Sequence, residues 1–325
     1  MFDLTHGKMR KYFCQFVSIF FISLSIFLLF LAYSFFLRKH SFQKERIINI
    51  KQGENIHDIA KELGKEKLIF SPSLLSLYFR FSHKAIKSGY YRIPQNFSDY
   101  QLAEKLARAD FGDIYTKFTF PEGSTKEDLL SLLEKEKLNL KRDKLKTLLQ
   151  KKDEGTFFPD TYFLEPEISE EDFISRLEQR FQERFQKAKQ GTSLKKSDHD
   201  VLVMASLIEK EAGKSLKEKQ MISGILWKRL AKGIPLQVDA PFLYERGKGS
   251  SKLSRKDLKK DSLFNTYTRK GLPPHAIGNP GYDALYAAFH PIESPYYFYL
   301  HAKDGKIHYA KTYYEHLKNK KNYLN

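Results

Sequence analysis

A single cysteine, Cys14, leaves no intramolecular disulfide and no cysteine-built zinc site in the 325-residue chain. Carboxylates are in deficit: 39 Asp and Glu face 56 Lys and Arg, a net charge of +17. That balance suits an anionic partner, whether nucleic acid, a membrane surface or an acidic polymer, without choosing among them. The signatures H-E-x-x-H and G-x-S-x-G are missing, and the ten histidines show no ligand spacing. A metal enzyme and a serine hydrolase are therefore disfavoured, and no metal or cofactor is expected. Gly213-Lys214-Ser215 imitates the tail of a P-loop, but Ile208 stands where the earlier glycine is required. Ser193-x-x-Lys196 has the spacing of a penicillin-binding nucleophile but lies in a lysine-rich loop. Repeats and low-complexity tracts are absent. Aromatics are plentiful: 27 Phe and 19 Tyr need a packed core and exclude a wholly disordered chain. The length fits about two domains.

From Tyr12 to Leu37 no residue is charged. The run exceeds the roughly 20 apolar residues that span a bilayer. It is longer than a secretory signal core and lacks a small-x-small cleavage site before Arg38. The expectation is an uncleaved single-pass membrane helix over 12–37. Lys8, Arg10 and Lys11 precede it, while Arg38, Lys39, Lys44 and Arg46 follow, so the positive-inside rule does not decide orientation. A short cytoplasmic tail at 1–11 with the large domain outside is the simpler topology, and it removes nucleic acid as a partner.

After a basic linker, Ile47–Ile50 reads as a strand, Gly53 as a turn, and Ile56 as the start of a helix. The spacing around Gly53 resembles a LysM module, a small βααβ glycan-binding unit, though an ordinary strand–turn–helix reads the same way. A helix over Pro72–Phe81 and a strand over Ser88–Ile93 follow. Ser98 and Gln101 then form a capping box for a helix to about Ala109. Tyr115–Phe120 reads as a strand, and Ser124 with Glu127 as the next cap. Residues 134–153 read as a solvated amphipathic helix with its turn, 157–162 as an aromatic turn, and 169–189 as a long charged helix. His199–Ala212 reads as a largely buried helix. Ser215 and Glu218 suggest a capping box for a helix closing at Gly233. Strand-like runs at Tyr296–Leu300 and Ile307–Ala310 precede a short C-terminal helix. Helices mixed with short strands indicate an α+β fold.

Chemistry is left to acids. Glu209 and Glu211 interrupt the apolar helix at 199–212. At about 100° per residue, Glu211 falls between Met204 and Leu207, and Glu209 between Ala205 and Leu202. Either carboxyl could face low-dielectric surroundings, which would raise its pKa as a general acid requires. A simply solvated helix end has the same sequence.

The stretch Met204-Ala205-Ser206-Leu207-Ile208-Glu209-Lys210-Glu211 resembles the active-site helix of the MltG/YceG-like endolytic murein transglycosylases. Further motifs follow in family order: Arg229-Leu230-x-x-Gly233-x-Pro235-Leu236-Gln237-x-Asp239, Asn265-Thr266-Tyr267, Gly271-Leu272-Pro273-Pro274 and Asn279-Pro280-Gly281. Phe158-Pro159-Asp160-Thr161-Tyr162 matches upstream. Ala212 replaces the usual Thr, Val238 replaces Thr or Ser, Ala240-Pro241 replaces Pro-Thr, and Arg246–Lys260 is unusually basic.

The resemblance implies a small LysM-like subdomain with its linker over 38–115 and a catalytic domain over 116–325. It implies a lyase that cuts the MurNAc-β-1,4-GlcNAc bond inside peptidoglycan strands and leaves 1,6-anhydroMurNAc ends. Glu211 aligns with the catalytic acid; Gln237, Asp239, Asn265 and Tyr267 are candidates for sugar contacts. Cell-wall synthases of the penicillin-binding class are implied partners. The enzyme would sit in the cytoplasmic membrane with its catalytic domain periplasmic or extracytoplasmic. A hydrolytic muramidase, with Asp239 or Asp160 as second acid, and a non-catalytic wall-binding protein are the alternatives.

Overall fold

The computed structural model describes residues 3–136, 138, 140–213, 215–247 and 257–324. Lys214 and most of the basic stretch 246–260 thus lie outside the described residues, as do the side chains of Lys8, Arg10, Lys11 and Cys14. The chain divides into two compact units, Met1–Tyr115 and Thr116–Asn325.

The first unit runs α1 (Asp3–Ala32), a π-helical turn (Tyr33–Leu37), β1 (Lys39–Ser41), β2 (Arg46–Ile50), α2 (Ile56–Lys65), α3 (Pro72–Ser82), β3 (Gly89–Ile93), β4 (Asn96–Ser98) and α4 (Asp99–Ala107). Gln15–Leu37 is long and apolar enough to cross a membrane, and before its last turn it is not buried against the protein. Phe35 changes the pattern. It is 6 % exposed, and its ring centroid lies 6.2 Å from those of Tyr78 on α3 and Tyr100 on α4. Antiparallel pairing joins β2 to β3, with Ile48 opposite Tyr91, and β1 to β4. The order β2-α2-α3-β3 encloses a core of Ile48, Ile59, Leu63, Leu75, Phe79 and Tyr91. Buried Asp99 ties the layers together: its carboxylate accepts from the Phe70 and Ser71 amides and lies 2.8 Å from His40 Nε2. Ser98 and Gln101 form the expected capping box.

The second unit runs β5 (Thr116–Thr119), α5 (Lys126–Leu133), α6 (Arg142–Gln150), β6 (Thr161–Leu164), α7 (Glu170–Lys189), α8 (Asp198–Glu211), α9 (Leu216–Ala231), α10 (Ala240–Arg246), α11 (Tyr282–Phe289), β7 (Phe298–His301), β8 (Ile307–Ala310) and α12 (Tyr313–Tyr323). The pairs β5–β6 and β7–β8 are antiparallel. Its central core packs Met204, Leu207 and Ile208 of α8 against Ile222 and Leu226 of α9 and against α11. On α11, Ala284, Ala287 and Ala288 are fully buried, and small side chains let helix axes approach. The Trp227 indole donates to the Ala288 carbonyl at 3.0 Å.

Several local expectations are corrected. The cap of α5 is Thr125 with Asp128, one residue beyond the expected pair, because Thr125 is the residue that leaves helical geometry. Ser215 makes no side-chain cap; Glu218 instead accepts from the Gly213 amide at 2.6 Å. The stretch 134–153 is not wholly solvated, since Leu145 and Leu149 enter a core with Phe118, Leu129 and Phe173. The aromatic turn runs directly into β6. Helices α10 and α11 are not signalled by the sequence pattern: both are short, and α11 is apolar but for Asp283 and Tyr hydroxyls, so neither shows a one-sided stripe.

Gly224 on α9 marks the tightest crossing. A Cβ there would lie 1.9 Å from the Ile292 carbonyl oxygen. Gly224→Ala is expected to destabilise the second unit by about 1–3 kcal/mol. Thermal unfolding of the full chain reads this, and an unchanged midpoint would refute the crossing.

Candidate active site

Helix α8 ends where Ala212 turns extended, with φ −93° and ψ 154°. The Ala212 amide still closes on the Ile208 carbonyl at 2.9 Å, leaving Glu211 in the last turn. Every residue from Val203 to Ile208 is buried. The C-terminal end of a helix carries partial negative charge and disfavours an ionised carboxylate. Burial pushes the Glu211 carboxyl above its usual range, and the neighbouring Asp239 charge adds to that. Three groups pull the other way: the Tyr299 hydroxyl, the Ala240 amide and His301.

Strand β7 delivers two of these. Alternation puts Tyr299 and His301 on one face while Leu300 enters the core. Tyr299 donates to Glu211 Oε2 at 3.2 Å, and its own pKa is driven well upward by burial, so it remains a neutral donor. His301 Nε2 lies 2.9 Å from Glu218 Oε1.

The segment after α9 supplies the rest. Leu236 and Val238 are buried, which turns Gln237 and Asp239 outward. Gln237 has φ +56°, a left-handed conformation unusual for a residue with a side chain. Three contacts hold it there. Its amide donates to the Thr266 carbonyl at 2.9 Å, Arg229 Nη2 donates to its Oε1 at 2.5 Å, and the Thr266 hydroxyl accepts from the Val238 amide at 3.0 Å. Backbone strain held this firmly clusters at functional sites. Asp239 accepts from the Tyr267 hydroxyl at 2.5 Å. Burial and that bond together raise the Tyr267 pKa.

Asn265 does not join the group. It is fully buried, and its amide nitrogen donates to the Leu258 and Lys260 carbonyls at 3.1 and 2.7 Å. Its oxygen accepts from the Tyr267 and Thr268 amides at 2.9 and 3.2 Å. Asn265 thus shapes the loop that carries Tyr267 and has no free donor for a ligand. Asn279 behaves likewise, bonding Phe157, Ser124 and Glu154.

Glu209 leaves α8 in another direction. Both of its oxygens lie 3.3 Å from the ammonium of buried Lys219, and one also accepts from the Gly281 amide at 3.1 Å. Among the described residues, no Lys or Arg forms an ion pair with Glu211. Asp160 is bound to Arg180 at 3.2 Å, and none of its hydrogen-bond partners touches Glu211.

Two organising residues carry no role in the sequence reading, although Arg229 stands in one of its motifs. Buried Arg229 donates to the Pro235 and Tyr297 carbonyls at 3.0 and 3.1 Å, joining the Gln237 segment to the entry of β7. Tyr299 was one aromatic among many, although its alternation with Leu300 was a usable signal.

Tyr299→Phe removes a hydrogen bond that favours the ionised form of Glu211. The Glu211 titration should therefore move further upward, by roughly 0.5–1 pH unit for a bond worth about 1 kcal/mol. Infrared titration assigned against Glu211→Gln reads it, and a downward move would contradict the geometry.

The sequence profile of the YceG-like family matches residues 48–322. An endolytic murein transglycosylase of Bacillus subtilis is 30 % identical over 305 residues, covering 85 % of this chain and 84 % of that protein. A protein of the same name from Streptococcus pneumoniae D39 is 24 % identical over 323 residues, covering 86 % of this chain and 58 % of its own length. The crystal structure of a YceG-like protein from Listeria monocytogenes superposes with a TM-score of 0.53 at 27 % identity, covering 85 % of this chain and 99 % of that one.

Proposed function

This chain belongs to the YceG-like family, and from that premise we propose that it is an endolytic murein transglycosylase with Glu211 as its single acid–base residue. The observation that carries the reading is one half-buried carboxyl at a helix end, its pKa pushed upward by loss of solvation and its oxygen met by a neutral tyrosine donor. An acid whose pKa is raised in this way is suited to give its proton to the glycosidic oxygen between MurNAc and GlcNAc. The bond from MurNAc C1 to that oxygen breaks, and GlcNAc leaves with a free hydroxyl. The Glu211 carboxylate then takes the proton of the muramyl C6 hydroxyl as its oxygen bonds to C1. Atoms balance without water, the acid is restored, and the new end is 1,6-anhydroMurNAc.

Gln237, Asp239 and Tyr267 are the proposed sugar contacts, with Arg229 and Asn265 holding them. A hydrolytic enzyme would employ Asp239 as a second carboxylate; its bond from Tyr267 favours a binding role. The β2-α2-α3-β3 arrangement supports the LysM-like reading of the first unit, with weak glycan binding as its task. The apolar helix supports a single-pass anchor with a short inner tail and the enzyme on the outer side of the cytoplasmic membrane, beside the cell-wall synthases.

Two variants test the assignment. Glu211→Gln should lower release of anhydromuramyl products from purified glycan strands by roughly 10²–10⁴-fold. The fold should survive. A carboxyl with a raised folded-state pKa contributes stability that is present below its unfolded pKa and lost as pH rises through the folded value. Glutamine, which never ionises, should be no less stable than Glu211 at neutral pH. Glu209→Gln should act oppositely, leaving Lys219 buried without its counter-charge at a cost of about 3–5 kcal/mol while the folded fraction still cuts. The reverse pattern, read by product mass and melting midpoint, would move the chemistry to Glu209.

A further inference from the structure

The apolar residues of α3 outnumber what its own core uses. Along Pro72–Ser82, Leu75 and Phe79 point inward and are buried, yet Leu77 is 46 % and Phe81 73 % exposed on the opposite side. Beside the polar strip of Ser73, Ser76 and Arg80, α3 thus carries an apolar edge that its own core does not cover, and at eleven residues it is too short to cross a bilayer.

The exit of the membrane-spanning segment brackets that face. Phe35 packs on Tyr78, which precedes Phe81 by one turn of α3. On the other flank, the Arg38 guanidinium lies 3.7 Å from the centroid of Phe70, just before α3 begins. Phe70 lines a groove between α2 and α3 with Leu77, His57, Lys61 and Arg80, and no carboxylate lines that groove. Tyr33, Phe36 and Leu37 at the helix exit are themselves more than half exposed. The apolar face of α3 is thus continuous with the end of the span and edged with cations.

We propose that α3 lies on the outer membrane–water interface of the bilayer its own chain spans, with Leu77 and Phe81 in the headgroup–acyl boundary and Lys61 and Arg80 on anionic lipid phosphates. An amphipathic helix that lies in this plane buries its apolar face by about 5–10 Å. Positive groups beside it add attraction to anionic lipid. The first unit would then be held at a fixed tilt close to the bilayer rather than swinging on its anchor. This inference rests on reading Gln15–Leu37 as a membrane span.

The test uses the full chain in nanodiscs of anionic phospholipid with bromines at shallow acyl positions. The only native tryptophan, Trp227, is buried in the second unit and sets the background. Phe81→Trp should add blue-shifted emission and lose most of it to the bromines, and adding Lys61→Glu and Arg80→Glu should restore it. Phe30→Trp, inside the span, is the reference. If Phe30→Trp is quenched while Phe81→Trp stays solvent-like, the span stands and the proposal falls. Blue-shifted Phe81→Trp emission without quenching would mean that a second copy or another protein covers the face, which also overturns it. If Phe30→Trp escapes quenching, the anchor reading fails and takes the proposal with it.

Discussion

A carboxyl holds its proton more tightly where its ionised form is denied water and a counter-charge, and burial and the nearby Asp239 raise the Glu211 pKa in this way. Helix α8 is buried from Val203 to Ile208, and its last turn emerges among β7 and the start of α10. The helix end opposes negative charge, and Asp239 opposes it again. The hydroxyl of Tyr299 tempers this without supplying a cation. The ammonium of Lys219 is committed to Glu209 on another side of the helix.

Much of the remaining sequence pattern serves geometry and does not touch ligand. Arg229 binds the Gln237 segment to the entry of β7, and Thr266 fastens that segment through backbone and side chain. Asn265 folds the loop bearing Tyr267. Asn279 joins the turn after β5 to the start of the Phe157 segment. Each is a buried polar group with its bonds satisfied, and a buried polar group deprived of its partners is costly. Removing any of them should act through the site's shape.

Periodicity is enough to read α8, the βααβ order and the apolar N-terminal helix, because each is a local pattern in the sequence. The choice between Glu209 and Glu211 was not local. A helical wheel put both beside apolar neighbours; the distinction came from Lys219 on the next helix and from Tyr299, 88 residues further along the chain. The same holds for Asn265 and Tyr267, neighbours in one motif whose burial differs. Helix α11 is not legible because it is short and apolar but for Asp283 and its tyrosine hydroxyls, and the cap of α5 is ambiguous by one residue because Ser124 and Thr125 are both competent caps. Tyr299 needed the strand's register to stand out from the other aromatics.

The central claim is that one acid suffices because the sugar's own hydroxyl replaces water. Digestion of purified glycan strands in heavy-oxygen water, with the new ends read by mass spectrometry, tests it most directly. The account predicts anhydromuramyl ends with no heavy oxygen incorporated. Reducing muramic acid ends carrying the label would contradict it and would make Asp239 the partner of Glu211 in hydrolysis.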